Sequence, residues 1–214
     1  MVIVSHFYNE EYLLPWWLEH HKKIFDHGIL INHQSTDKSV DIIKKICPTW
    51  EIRETKLSEW YTADDDRELM EAERDCEGYK MILPTTEFLI RTNPGELNQD
   101  PRCYAIPMFI LVDNDPDNRP VYNKPLIEQK TNGYWSTKNR FRFLHNHKDG
   151  TYTGLGIHHT KHKIVRTNKF IILKAAFSPW TPELIKRKLN TKARAGGTHG
   201  KHHYWDRERL KPKN

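Results

Sequence analysis

The stretch Val2-Ile3-Val4-Ser5-His6-Phe7-Tyr8-Asn9-Glu10-Glu11 decides how the chain folds. Its three β-branched and aliphatic residues open it as a short buried strand does. A polar and aromatic segment follows, and Asn9-Glu10-Glu11 then offers a cap and acidic residues for a helix start. Behind it Leu14, Trp17, Leu18, His21 and Phe25 recur at helical spacing. Pro15 lies late for a first-turn proline and predicts a kink or a delayed start. Gly28 reads as the helix stop.

Outward from this unit the alternation repeats. Ile29-Leu30-Ile31 reads as a second strand, and Ser35-Thr36-Asp37 as the cap of a helix carrying Val40, Ile43 and Ile46 on one face. Trp50–Arg53 reads as a third strand, Asp64–Asp66 as the cap of a helix running to about Cys76, and Tyr79–Leu83 as a fourth strand. This order predicts an α/β fold: a parallel sheet, helices on both faces, right-handed crossovers. Ligands in such sheets lie beyond the carboxyl ends of the strands. Those ends are Ser5–Asn9, Asn32–Asp37, Thr55–Asp66 and Pro84–Glu87. The second half is less regular. Tyr104–Val112 reads as one long strand and Asp113–Pro120 as a turn-rich loop. Further strands are expected at Phe141–Leu144, His162–Arg166 and Phe170–Leu173, a helix from Thr181-Pro182-Glu183, and a flexible loop at Ala195–Gly200.

The composition bounds the function. The 214 residues are 37% hydrophobic and 29% charged, as in a soluble globular protein. No run approaches the ~20 apolar residues of a membrane span, and no signal-peptide pattern opens the chain. Cys47, Cys76 and Cys103 are odd in number and lack a CxxC pair. That excludes a disulfide framework or a cysteine-rich zinc site and fits a reducing, cytoplasmic location. The net charge of +6 attracts polyanions.

Several segments carry chemistry. The Gly-rich run Ala195–His202, with Lys192, Arg194, His199, Lys201 and His202, lacks the Walker pattern, and no GxGxxG follows the first strand. Its cations and backbone N–H groups could still close over a diphosphate. Ser5–Glu11 offers an aromatic for stacking on a base and polar groups for its edge. Asp64-Asp65-Asp66 offers oxygen ligands of the kind Mg²⁺ or Mn²⁺ takes, and is equally an acidic helix cap. His158-His159 and His202-His203 offer nitrogen ligands, one per adjacent pair on a strand.

The run Asn9–His21 followed by Asn32-His33-Gln34-Ser35-Thr36-Asp37 resembles family 2-like glycosyltransferases with the GT-A fold. These carry an Asn-Glu-Glu helix start and a D-N-G-S-T-D-like turn after the second strand. Tyr79–Leu89, ending Thr86-Glu87-Phe88-Leu89, is similar to their fourth strand and D-x-D-E-F turn, and His203-Tyr204-Trp205 to a late His-Tyr motif. The likeness is strongest over residues 1–90 and looks especially close to chlorella-virus glycosyltransferase domains that build capsid glycans.

The resemblance implies a GT-A (Rossmann-like) fold with a central, mostly parallel mixed sheet flanked by helices. It implies a single domain over residues 1–205, with a nucleotide half (1–90), an acceptor half (91–205) and a basic tail (206–214). It also implies a UDP-sugar donor, Mn²⁺ or Mg²⁺, and a growing glycan as acceptor, with glucose or L-rhamnose as the sugar and the host cytoplasm as the location if the source is viral. The implied donor contacts are Ser5, His6, Tyr8, Asn9, Glu11, Asn32, Gln34, Asp37, Asp65, Asp66, Arg67, Thr85, Thr86, His199 and Lys201. The D-x-D aspartates fall on Pro84 and Thr86, which leaves Glu87 with His202 as the implied metal ligands. Glu87, Asp113, Asp115 and Glu128 are the carboxylates considered for catalysis. Two other classes stay open. One is a basic nucleic-acid-binding module, for which no RRM, KH or helix-turn-helix signature is present, so no nucleic acid is expected. The other is a GT-A domain without turnover, motivated by the replaced aspartates.

Overall fold

A computed structural model describes residues 1–59, 61–93, 97, 100, 102–113, 117–137 and 140–194, the side chains of 189–194 excepted. Its first half runs β1 (Val2–Phe7), α1 (Leu14–His21), β2 (His27–Asn32), α2 (Ser39–Ile46), β3 (Glu51–Glu54), α3 (Thr62–Arg74) and β4 (Lys80–Ile82). The second half runs β5 (Glu87–Arg91), β6 (Cys103–Ile106), β7 (Met108–Leu111), α4 (Leu126–Gln129), β8 (Gly133–Trp135), β9 (Arg142–His145), β10 (Ile164–Arg166), β11 (Phe170–Lys174) and α5 (Pro182–Arg194).

The expected α/β fold is what the chain forms. A seven-stranded sheet has the order β10-β6-β9-β4-β1-β2-β3, and only β9 runs against its neighbours. Alternation along the strands splits the core between the two faces. Ile3, Leu30 and Met81 join Leu14, Trp17, Leu18 and Ile43 under α1 and α2. Val4, Ile29, Ile31 and Ile82 pack with Leu69 and Ala72 of α3 and with Cys76 just after it. All three cysteines are buried thiols, and no helix among the described residues is long and apolar enough to cross a membrane.

Several elements differ from the sequence expectation. Helix α1 starts late, as Pro15 predicts; Glu10 O accepts from the N–H of both Leu13 and Leu14 at 3.0 Å and so forms the turn before it. Gly28 is not a helix stop but sits inside β2. A Cβ there would lie 2.3 Å from Cε3 of Trp50, so the ring packs flat on the strand where no side chain stands. Asp64–Asp66 lie inside the first turns of α3 rather than before it. The apolar run Tyr104–Val112 is two strands. Pro107 has no N–H for a ladder, and at that point the chain leaves the large sheet as β6 and enters a second one as β7. This four-stranded sheet has the order β5-β11-β7-β8.

Candidate functional site

The site is built where β1, β2 and β4 end. Asn9 and Gln34 have positive φ, 51° and 58°, unusual for residues with side chains. They turn the chain after β1 and β2, and side chains then stitch the two loops together. The Asn9 side-chain carbonyl accepts from Thr36 N at 2.8 Å and Asp37 N at 3.3 Å, and Ser35 Oγ accepts from Asn9 N at 3.1 Å. Glu11 N donates to Asp37 at 3.0 Å, while the Glu11 carboxylate accepts from Lys38 N at 3.2 Å. Asp37 also accepts from Ser39 N at 2.9 Å, at the start of α2. Asn32 donates to the Glu54 carboxylate at 2.9 Å. Asn9, Glu11, Asn32 and Asp37 thus fix the platform.

A cavity of about 550 Å³ opens above this platform. It is lined by His6, Tyr8 and Glu10 from the end of β1, His33 after β2, and Thr85, Thr86 and Glu87 after β4. Its cationic wall is Arg140, Lys174, Arg187 and Lys188, with Tyr134, Ser136 and Thr137 near β8; Arg187 pairs with Glu10 and Lys174 with Glu87. A smaller space of about 150 Å³ adjoins it at His6 and Pro84, lined also by Ser5, Asp65, Asp66 and Arg142. The volume suits a nucleotide-sized ligand, and the four cations suit its phosphates.

Glu87 lies fully buried beneath the cavity. Arg142 Nε donates to it at 2.6 Å and Lys174 Nζ at 2.9 Å. Burial alone would raise its pKa, but the Arg142 and Lys174 charges and their hydrogen bonds outweigh that and hold the carboxyl at about 2. Arg142 also donates to the Gly156 carbonyl at 2.6 Å, and Gly156 N donates to Asp66 at 2.7 Å. Burial raises the Asp66 carboxyl against that bond. Glu73 of α3 holds the same loop farther on. It accepts from Gly150 N at 2.8 Å and Tyr152 Oη at 2.7 Å, and lies 2.9 Å from His145 Nε2. Lys188 sits with Nζ 4.6 Å from the centre of the Phe177 ring, a cation–π distance. Burial, and then the Arg187 charge, lower its ammonium to about 7. Arg187 itself is ion-paired with Glu10.

On the border of the two spaces His6, His33 and Asp65 come together. The two imidazoles meet edge to face with centres 5.4 Å apart, and His33 Nε2 lies 3.3 Å from Asp65 Oδ1. Burial, followed by His33 and Arg142, lowers His6 to about 3, so its imidazole is neutral.

The sequence-expected residues are therefore sorted by position. Ser5, His6, Tyr8, Asp65, Asp66, Thr85, Thr86 and Glu87 line the two spaces. Arg67 is exposed and pairs with Asp64 at 2.9 Å, and Gln34 is exposed. Asp113 is buried away from the cavity, 2.7 Å from Lys130 Nζ, accepting from Ser178 Oγ at 3.2 Å and from Trp180 N. Glu128 is exposed on α4. Asp115, His199, Lys201 and His202 lie outside the described residues, as does the 206–214 tail. The cationic wall was not assigned from the sequence. One signal was present: Leu184 and Lys188 stand four apart after the Thr181-Pro182 helix start, and both are buried. For Lys174 there was none, because the sheet whose strand β11 it ends was not legible, and Arg140 lies in the segment between β8 and β9, which no local pattern places.

No family model matches the chain, and no curated protein matches it. Among solved structures it is similar to S. aureus TarS 1–349 in complex with UDP-GlcNAc, at 15% identity and TM-score 0.37, over 56% of this chain and 36% of that one. It is similar also to S. aureus TarS 1–349 (14%, TM-score 0.34, 56% and 37%). HddC from Yersinia pseudotuberculosis is a third such structure (8%, TM-score 0.39, 87% and 97%). The chain spans little more than a third of the length of these TarS chains.

Proposed function

We propose that this chain is a GT-A glycosyltransferase that takes its sugar from a UDP-sugar and passes it to a hydroxyl of a growing glycan. The observation that carries the reading is the cavity at the carboxyl ends of β1 and β4, lined by polar strand ends and by Arg140, Lys174, Arg187 and Lys188. It lies where the topology of a parallel sheet puts a nucleotide. Residues 1–90 supply the base and ribose side, and the later segments that carry these cations supply the phosphate and acceptor side. Transfer of glucose or L-rhamnose to a viral glycoprotein glycan in the cytoplasm is the finer form, supported by the sequence resemblance.

Breaking the bond from the sugar's anomeric carbon to the diphosphate leaves the electron pair on a phosphate oxygen. The cationic wall faces that charge and stabilises it as it develops. The metal site of the resembled family does not fit at the end of β4. Pro84 and Thr86 carry no carboxylate, and Glu87 is already held by Arg142 and Lys174. No step runs through a metal there.

Calorimetric titration with UDP, GDP and CMP, each with Mn²⁺ and with EDTA, tests this. UDP is expected to bind at least about tenfold more tightly than the others. Absence of nucleotide binding in either condition overturns the reading. UDP binding without sugar transfer or donor hydrolysis, across UDP-glucose and UDP-rhamnose, would instead make the chain a silent GT-A domain.

A further inference from the structure

We propose that His6, His33 and Asp65 form a binding site for a divalent transition-metal ion of the Zn²⁺ class. The three donors come from separate segments that the fold forces together. His6 is next to last in β1, His33 directly follows β2, and Asp65 stands in the first turns of α3. β1 and β2 are parallel neighbours with Phe7 opposite Asn32, and His33 N donates to Phe7 O at 2.9 Å, which seats the second imidazole beside the first.

The distances are those of a ligand set. The three donor atoms lie within 4.8 Å of one another. Two ligands about 2.0–2.1 Å from a tetrahedral ion stand about 3.3 Å apart, and His33 Nε2 to Asp65 Oδ1 measures 3.3 Å. Asp65 and His33 are buried, with side chains 1% and 7% exposed, so the pair is held by its surroundings rather than by chance on a surface.

The chemistry selects the ion. Two imidazoles and one carboxylate suit Zn²⁺, Fe²⁺ or Co²⁺, whereas Mg²⁺ takes an all-oxygen shell. The neighbouring carboxylates are committed elsewhere: Asp66 accepts from Gly156 N, and Glu87 is held by two cations. Three protein ligands leave a fourth position, the arrangement of an open rather than a closed zinc site. His6 and His33 both line the large cavity, so that position faces it. Water or an oxygen of a ligand in the cavity can fill it, and the metal site does not rest on the nucleotide reading.

The test uses the full chain, stripped with EDTA, and metal alone. Co²⁺ is titrated as a visible probe and then displaced by Zn²⁺, with calorimetry for stoichiometry. One equivalent is expected, with an absorption spectrum of four- or five-coordinate Co²⁺. His33→Gln and Asp65→Asn should each weaken it by at least about a hundredfold, as removal of a direct ligand does, while circular dichroism and unfolding midpoints report whether each variant remains folded. The chain has 13 histidines, so His162→Ala serves as a control and should leave binding unchanged. No stoichiometric Co²⁺ or Zn²⁺ binding overturns the proposal. So does binding that survives His33→Gln and Asp65→Asn, or that is lost with His162→Ala. Failure of UDP to bind a protein that still takes one Zn²⁺ would overturn the nucleotide reading and leave the metal site standing.

Discussion

Two buried carboxylates border the two adjoining spaces, Glu87 the larger and Asp65 the smaller, and they meet different neighbours. Glu87 is met by a guanidinium and an ammonium, at 2.6 and 2.9 Å. Asp65 is met at 3.3 Å by an imidazole, and a second imidazole stands beside that one. Burying a carboxylate costs several kcal/mol unless opposite charge accompanies it. At Glu87 the chain supplies that charge permanently, so the residue acts as a fixed anchor for Arg142 and Lys174. At Asp65 the near neighbour is an imidazole, a group that is itself a metal ligand. Position in a cavity therefore does not assign a role to an acidic side chain; the chemistry of its neighbours does.

The largest effect expected from this contrast is at Glu87. Glu87→Gln keeps the shape but leaves two cations uncompensated in a buried place, and should destabilise the fold by about 3–5 kcal/mol in urea unfolding. A loss below about 1 kcal/mol would break the comparison. The pH dependence sharpens it. The folded carboxyl is held at about 2, below its ordinary 4.5. Its stabilisation is thus complete above pH 4.5 and is lost as pH falls toward 2. By 1.36 kcal/mol per pK unit it amounts to about 3 kcal/mol. The gap in urea midpoint between wild type and Glu87→Gln should stay constant from pH 7 to 5 and narrow steadily below pH 4.5.

Next in size is Lys188, the cation of the cavity wall whose charge is conditional. Its ammonium titrates near 7, lowered by burial and by Arg187 and Lys174, with Glu10 opposing. An anion in the cavity favours the charged form. Lys188→Met should weaken UDP binding about tenfold at pH 6, roughly 1.4 kcal/mol, and by less at pH 8.5, where the wild-type amine is already neutral. Titrating both proteins at both pH values cancels the nucleotide's own phosphate ionisation. No gap at pH 6 would assign the wall's charge to Arg140, Lys174 and Arg187 alone, and a full gap at pH 8.5 would mean that the Lys188 amine stays charged there.

How much of this was legible beforehand follows the same division between local and distant causes. β1, α1, β2, α2 and α3 were readable, because Ile3, Leu14, Trp17 and Leu30 obey local periodicities and the resulting alternation fixes a mostly parallel sheet. Ser5, His6, Tyr8, Thr85 and Thr86 were readable as cavity residues for the same reason, since strand ends are where such sheets place ligands. Gly28 was misread because its neighbour in space, Trp50, lies 22 positions away in sequence. The second sheet was not legible. β5, β8 and the break at Pro107 are set by pairing between segments as distant as Glu87 and Lys174, and no local pattern encodes such pairing. Lys174, the last residue of β11, was hidden with it. The His6–His33–Asp65 grouping was half visible. All three residues lay in strand-end segments, but their convergence depends on how α3 packs against β1.

The smallest expected effect is on stability at Asp65, and its smallness is what makes it informative. Asp65→Asn keeps the volume and retains a hydrogen-bonding group toward His33. It removes the charge and keeps the hydrogen-bonding capacity. Without added metal the loss should be about 1 kcal/mol or less, the worth of one ordinary hydrogen bond, against the 3–5 kcal/mol expected at Glu87. Saturating Zn²⁺ should then separate the two proteins. An ion that binds only the native state stabilises it by about 2.7 kcal/mol at a hundredfold excess over its dissociation constant, and Asp65→Asn should forgo most of that gain. Urea unfolding of wild type and variant, each with EDTA and with Zn²⁺, gives the four midpoints needed. A large loss at Asp65 in EDTA would mean that this carboxylate, like Glu87, is an anchor of the fold, and the contrast between them would collapse. A small loss in EDTA that widens with Zn²⁺ is the pattern that only a ligand produces.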